Sequence, residues 1–152
     1  MGQYFFDSSA LAKRYHPEAG SSEVERLFAE PGREIRISHL SFVEIQSVCA
    51  MKVRSGFLAV EESELQRERL LADIASGEIE MRSVTADYFA TAEKLIARYG
   101  YKHRLRNLDA LQLAFACELL SEGLLDKFVV ADKALGEVAA LESILVLNPE
   151  TA

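Results

Sequence analysis

The 152-residue chain is 49% hydrophobic with a formal net charge of −7, which is apolar material enough for one compact domain spanning residues 1–152 without staples. That charge excludes a protein that holds nucleic acid by bulk electrostatics alone, although acids clustered around cations reverse the local sign and admit a polyanion at one place. The longest apolar runs, "LQLAFACELL" and "LLDKFVVA", fall short of the roughly 18 to 20 residues of a membrane span.

In chain order, Tyr4 to Asp7 reads as a short strand and "SALAKRY" as a helix ending near His16-Pro17, because proline disfavours helix at the residue before it. "GSSEVERLFAE" is a second helix, bounded by Gly20 and by Pro31-Gly32. "REIRIS" alternates as a strand does. "SFVEIQSVCAMKVRSG" then sets Phe42, Ile45, Val48, Cys49 and Val53 at helical spacing up to Gly56.

"VEESELQRERLLADIASG" is an amphipathic helix, "EIEMRSV" a weak third strand, and "TADYFATAEKLIARYG" a helix with Thr85 as cap and Gly100 as terminator. Asn107 starts the apolar helix "LDALQLAFACELL". "KFVVAD", "KALGEVAAL" and "SILVLN" complete the chain as strand, helix and strand. Alternation of this kind predicts an α/β fold, a central parallel sheet of about four to five strands with helices on both faces.

The N-terminus lacks the basic region, long apolar core and cleavage site of a secretory signal, so the expected location is the cytoplasm. Cys49 and Cys117 each follow an apolar residue by four positions and are expected as unpaired core thiols.

Four acids share one structural position. Asp7 ends the first strand, Glu44 falls in the first turn of the helix after the second strand, Asp109 opens the "NLDALQLAFA" helix, and Asp132 ends "FVVA". Ligands of open α/β sheets bind beyond the carboxyl ends of the strands, so these acids are candidates to converge. Singly, each has a plainer account. Asp7 and Asp132 fit helix caps, Ser41 to Glu44 a capping box, and Asp109 a helix-dipole partner beside an Asn107 cap. Together, partly desolvated acids with no base placed in sequence beside them call for a cation, and hard oxygen donors select Mg²⁺ or Mn²⁺.

The segments "FDSSALAKRYHPEAGS", "ISHLSFVEIQSVCAMKVRSG", "RNLDALQLAFA" and "FVVADKAL", in this order and spacing, resemble the PIN-domain ribonucleases, in particular toxins of VapC type from toxin-antitoxin pairs. The resemblance covers nearly the whole chain. It implies that Asp7, Glu44, Asp109 and Asp132 are the catalytic, metal-holding acids, with Asp132 acting through water, and that Ser9 is the small hydroxyl residue near the metal. It also implies an RNA substrate, an antitoxin partner that enters the acidic crevice, and a homodimer; the Val60 to Gly77 helix is a candidate for either protein contact. One departure is Val130, where the family usually has Thr or Ser two residues before the fourth acid, so a hydrogen bond that orients Asp132 or its water is expected to be missing.

Lys13 and Arg14 after Asp7, and Lys102, His103, Arg104 and Arg106 before Asp109, are candidate phosphate contacts. The three histidines, His16, His39 and His103, have no ligand spacing. Two other readings compete: a PIN-like fold kept for binding without turnover, and a haloacid-dehalogenase-like phosphatase, which needs a second Asp where Ser9 stands.

Overall fold

The computed structural model describes residues 2–152. Strand β1 (Gln3–Phe6) leads into α1 (Ser8–Tyr15) and α2 (Ser21–Ala29), and β2 (Glu34–Ser38) into α3 (His39–Arg54) and α4 (Val60–Ala75). After β3 (Glu80–Arg82) come α5 (Ala86–Tyr99) and α6 (Asn107–Ser121); β4 (Lys127–Val129), α7 (Lys133–Leu141) and β5 (Val146–Leu147) close the chain. The five strands pair in parallel in the order β3-β2-β1-β4-β5.

Both faces of the sheet are covered, which is why its central strands are continuously apolar instead of alternating. Tyr4, Phe6 and Val129 point into a core shared with α1, α2, α3 and α4. Phe5, Phe128 and Val130 point the other way, beneath α5, α6 and α7. There Phe5 stacks between Phe128 and Phe115, at ring separations of 5.4 and 6.1 Å, and Phe115 stacks on Tyr88 at 3.8 Å. Gly136 lets α7 lie close on β4 and β5, since a Cβ there would stand 3.3 Å from Val146 and 3.6 Å from Val130.

Three strands are shorter than their sequence pattern. Residues 78 and 79 belong to the turn that closes α4, where Gly77 has positive φ and the Ile79 N–H donates to the Asp73 carbonyl. Ser143 has φ 62° and ends α7, so β5 cannot begin where the apolar run "SILVLN" does. After the Val130 N–H donates to the Leu147 carbonyl at 3.0 Å, the chain leaves the ladder to deliver Asp132 as the cap of α7. Thr85 takes the cap position of α5 but makes no side-chain bond to it. Cys49 is buried and Cys117 half-buried, and both are free thiols. Among the described residues no helix is long and apolar enough to cross a membrane.

Phe115 anchors the α6 face through two ring contacts and is fully buried. Phe115→Ala is expected to cost about 3–5 kcal/mol of unfolding free energy in a urea titration, with the midpoint shifted and the slope unchanged.

Candidate functional site

The order of the strands reverses at β1: the chain runs outward from β1 through β2 to β3, then crosses back to β4 on the other side. A crevice opens beyond the carboxyl ends at such a switch. Asp7 follows β1 there and Asp132 follows β4, and the Asp7 N–H donates to the Val129 carbonyl at 3.1 Å.

Asp7 is 4% exposed. It caps α1 by accepting from the Ala10 N–H at 3.0 Å, and both its oxygens lie within 2.8 Å of the Ser9 hydroxyl, which donates to them. Among the described residues no Lys or Arg pairs with it. Burial, chiefly, pushes its pKa up to about 7; the bonds from Ser9 and Ala10 oppose the rise, and the charges of Glu44 and Asp132 add to it. The Ser9 oxygen also accepts from the backbone N–H groups of Ala131 and Asp132 at 3.1 and 3.4 Å, so one hydroxyl joins the ends of β1 and β4.

Glu44 lies farther along its helix than the sequence pattern suggests. α3 begins at His39, two residues before Ser41, and its cap is Ser38, whose Oγ accepts from the Ser41 N–H at 3.3 Å. The expected capping box from Ser41 to Glu44 is therefore not formed. Glu44 instead sits in the second turn, where Ser8 Oγ donates to Oε2 at 3.1 Å and Gln112 Nε2 to Oε1 at 3.2 Å. Burial raises its pKa, the two hydrogen bonds lower it, and the Asp109 charge raises it further.

Gln112 escaped the sequence reading. It is 2% exposed, donates to Ser41 Oγ at 2.8 Å and accepts from Ser38 Oγ at 2.9 Å. Its signal was an amide set among the apolar residues of the helix, three residues after Asp109 and so on nearly the same face.

Asp109 is half-buried on the first turn of α6, which Arg106 precedes in the cap position without a side-chain bond; Asn107 is the first helical residue, not the cap. Burial and the Asp132 charge raise the Asp109 pKa, while the Arg106 N–H and the Arg104 and Arg106 charges oppose them. Asp132 caps α7, its Oδ1 accepting from the Leu135 N–H at 3.1 Å, and its Oδ2 stands 3.9 Å from the exposed Arg104 guanidinium. Val130 is buried beneath α7 and offers Asp132 no hydroxyl; the bond from the Leu135 N–H is the one that holds the Asp132 carboxylate.

The four acids thus lie within Coulombic reach of one another in the pairs Asp7 and Glu44, Asp7 and Asp132, Glu44 and Asp109, and Asp109 and Asp132. Among the described residues no three Asp, Glu, His or Cys side chains stand close enough to ligate one ion. The donor chemistry suits a hard cation all the same, because four carboxylates share one edge with no buried base between them. His16 meets Gln66 at 3.4 Å, while His39 and His103 pack on Phe42 and Tyr99.

Two of the candidate phosphate contacts are already engaged. Arg14 pairs with Asp73 and Glu25, and Lys13 with Glu150 and Glu18. Lys102, Arg104 and Arg106 are exposed.

The PIN domain family model matches residues 4–141. No curated protein matches the chain at a significant level. The fold is similar to FitAcB from Neisseria gonorrhoeae, at 16% identity and a TM-score of 0.64 over 96% of this chain and 97% of that one. It is likewise similar to VapBC2 from Rickettsia felis bound to a promoter DNA fragment, at 16% identity and a TM-score of 0.64 over 95% and 97%. A third is Mycobacterium tuberculosis VapC20, described as a sarcin-ricin loop cleaving toxin, at 18% identity and 0.64 over 88% and 93%.

With divalent ions chelated, folded Asp7 keeps its proton up to pH about 7, whereas in the unfolded chain it loses it near pH 4. Its contribution to stability is thus greatest below pH 4 and is lost as pH rises to about 7; Glu44 and Asp109, also raised, act in the same sense. Asp7→Asn is expected to exceed the wild type in stability by on the order of 2 kcal/mol at pH 8 in EDTA, with the advantage shrinking toward pH 4.5. Thermal midpoints in the two buffers measure this, and a variant no more stable at pH 8 contradicts a buried, unpaired charge.

Proposed function

The chain belongs to the PIN-domain family, and from that premise we propose that it is a Mg²⁺- or Mn²⁺-dependent endoribonuclease, the toxin of a VapC-type toxin-antitoxin pair. The observation that carries the reading is Asp7: a buried carboxylate without a cationic partner among the described residues, within Coulombic reach of Glu44 and Asp132 at the switch point of a parallel sheet. A group of that kind is costly in the free protein and is relieved by a bound cation.

In this reading Asp7, Asp109 and Glu44 hold the ion or ions, and Asp132 acts beside them through water. A bound divalent ion supplies Lewis acidity at the scissile phosphate and lowers the pKa of water near it. The chain's own part is to fix the donors. Ser9 and the Ala10 N–H orient Asp7, Ser8 and Gln112 orient Glu44, and the first turn of α7 orients Asp132. Arg104 and Arg106 border the edge, and with Lys102 of the same segment they suit the phosphates flanking the cut, where they position the strand without reading sequence.

An antitoxin and a second copy of the chain are the proposed protein partners, and the cytoplasm the proposed location; all 152 residues form one unit in this reading. Structures similar to this one include toxin-antitoxin complexes, such as one from Klebsiella pneumoniae, which supports the first partner. Family membership displaces the phosphatase reading. Binding without turnover stays the rival reading, favoured by the absence of three acids at ligating distance among the described residues.

The test is cleavage of a mixed RNA pool with Mg²⁺ or Mn²⁺. The wild type is expected to cut, EDTA to abolish cutting, and Asp7→Asn or Asp109→Asn to lower the rate by about 100-fold or more. Cleavage that survives EDTA or both substitutions contradicts the metal-nuclease reading; ion binding with intact RNA favours the rival.

A further inference from the structure

A pocket of about 460 Å³ opens beside the acidic edge, running from Ser9 and Asp132 past Ile45 and Val48 to Lys52 on α3. Its wall includes Lys13 of α1, only 5% exposed. A buried ammonium needs a compensating anion, and this one has two, Glu18 at 3.6 Å and Glu150 at 2.7 Å. Glu150 alone is within hydrogen-bonding distance. Neutralising Lys13 therefore does not require both.

The two anions differ in origin. Glu18 comes from the turn between α1 and α2, next to Lys13 in sequence. Glu150 comes from the segment after β5, and that segment is seated without its help. Asn148 Nδ2 donates to the Ala131 carbonyl at 3.5 Å, Asn148 Oδ1 accepts from the Glu150 N–H at 2.9 Å, and Pro149 lies so close over Gly20 that a Cβ there would stand 3.0 Å from its carbonyl. The Glu150 side chain is 43% exposed. It can turn out to solvent with the backbone in place, giving up its ion pair and leaving Lys13 beside Glu18.

We propose that this pocket is a subsite for a backbone phosphate of the RNA strand, neighbouring the one that is cut, and that the Glu150 carboxylate fills it while no strand is bound. The inference rests on the nuclease reading and extends it to how the substrate is held. A phosphodiester offers the same anionic oxygens as a carboxylate, so it takes over the Lys13 hydrogen bond that Glu150 vacates, and Lys52 on the same pocket adds a second positive charge. Glu150 is then an internal competitor: it weakens binding of every strand and leaves the chemical step alone.

Glu150→Gln keeps the shape and removes the competing charge. With a labelled single-stranded oligoribonucleotide in about 50 mM salt, its Kd and KM are expected to fall about 3- to 10-fold, with kcat unchanged. Lys52→Ala, on the pocket rim, is expected to raise KM and to reduce the slope of log K against log salt by about 1. A Glu150→Gln variant that binds RNA no more tightly than the wild type overturns the proposal, as does a Lys52→Ala variant with an unaltered salt slope. Wild-type cleavage is scored separately. If the wild type binds but does not cut, the nuclease reading fails, while tighter binding by Glu150→Gln still upholds the phosphate subsite.

Discussion

A carboxyl group with no Lys or Arg beside it among the described residues is buried at the end of β1, and much of the surrounding architecture answers to it. Two-sided coverage of the sheet makes the carboxyl edge of β1 a low-dielectric place, and Asp7 ends that strand, 4% exposed. Two groups of the first turn of α1, the Ser9 hydroxyl and the Ala10 N–H, lower the cost of ionisation. They do not cancel it, since desolvation still dominates and Glu44 and Asp132 add to it. The fold thus stores an unmet electrostatic demand at one point of its surface.

Hydrogen bonds through uncharged side chains carry that demand to elements far apart in sequence. Ser9 reaches from α1 to the backbone after β4, Ser8 from α1 to Glu44 on α3, and Gln112 from α6 to Ser38, Ser41 and Glu44. Neutral donors orient carboxylates without neutralising them. An arginine at position 112 would hold Glu44 just as firmly but would supply the charge that a cation otherwise brings. Buried polar groups of this kind are tolerable only when each has its partners, and Gln112 bonds through both its oxygen and its nitrogen.

The alternation of strands and helices, the parallel sheet and the placement of Asp7, Asp109 and Asp132 near strand ends or helix starts were legible in the sequence, because period and capping chemistry are local signals. Glu44 was legible as a residue but not as a geometry: Ser38 and Ser41 both suit a cap, and only the exit of β2 decides that the first of them serves. The ends of β3 and β5 were overrun because "EI" and "SI" look like strand while Gly77 and Ser143, with positive φ, bind them to the preceding helix turns. Gln112 and the pairing of Lys13 with Glu150 depend on contacts 68 and 137 residues apart in sequence, which no local pattern records. Val130, read as a missing hydroxyl, packs in the core under α7.

The charge distribution bears on how so acidic a chain can meet a polyanion. Many of its arginines are committed elsewhere: Arg26, Arg33, Arg36, Arg82 and Arg98 pair with glutamates away from the acidic edge. Beside that edge, Arg104 touches Asp132 only at 3.9 Å, and Lys102 and Arg106 are exposed. If the proposed function holds, the four acids outweigh these bases in the absence of a cation, and a phosphate strand is repelled at the proposed place of cleavage. With cations bound the sign reverses there and the same basic segment becomes the flank of a positive site. Ion and strand then favour each other by equal factors, as any two ligands coupled through one field must. In the proposed reading, a net charge of −7 is compatible with selective RNA binding, because a bound cation would confine attraction to the one edge that holds it.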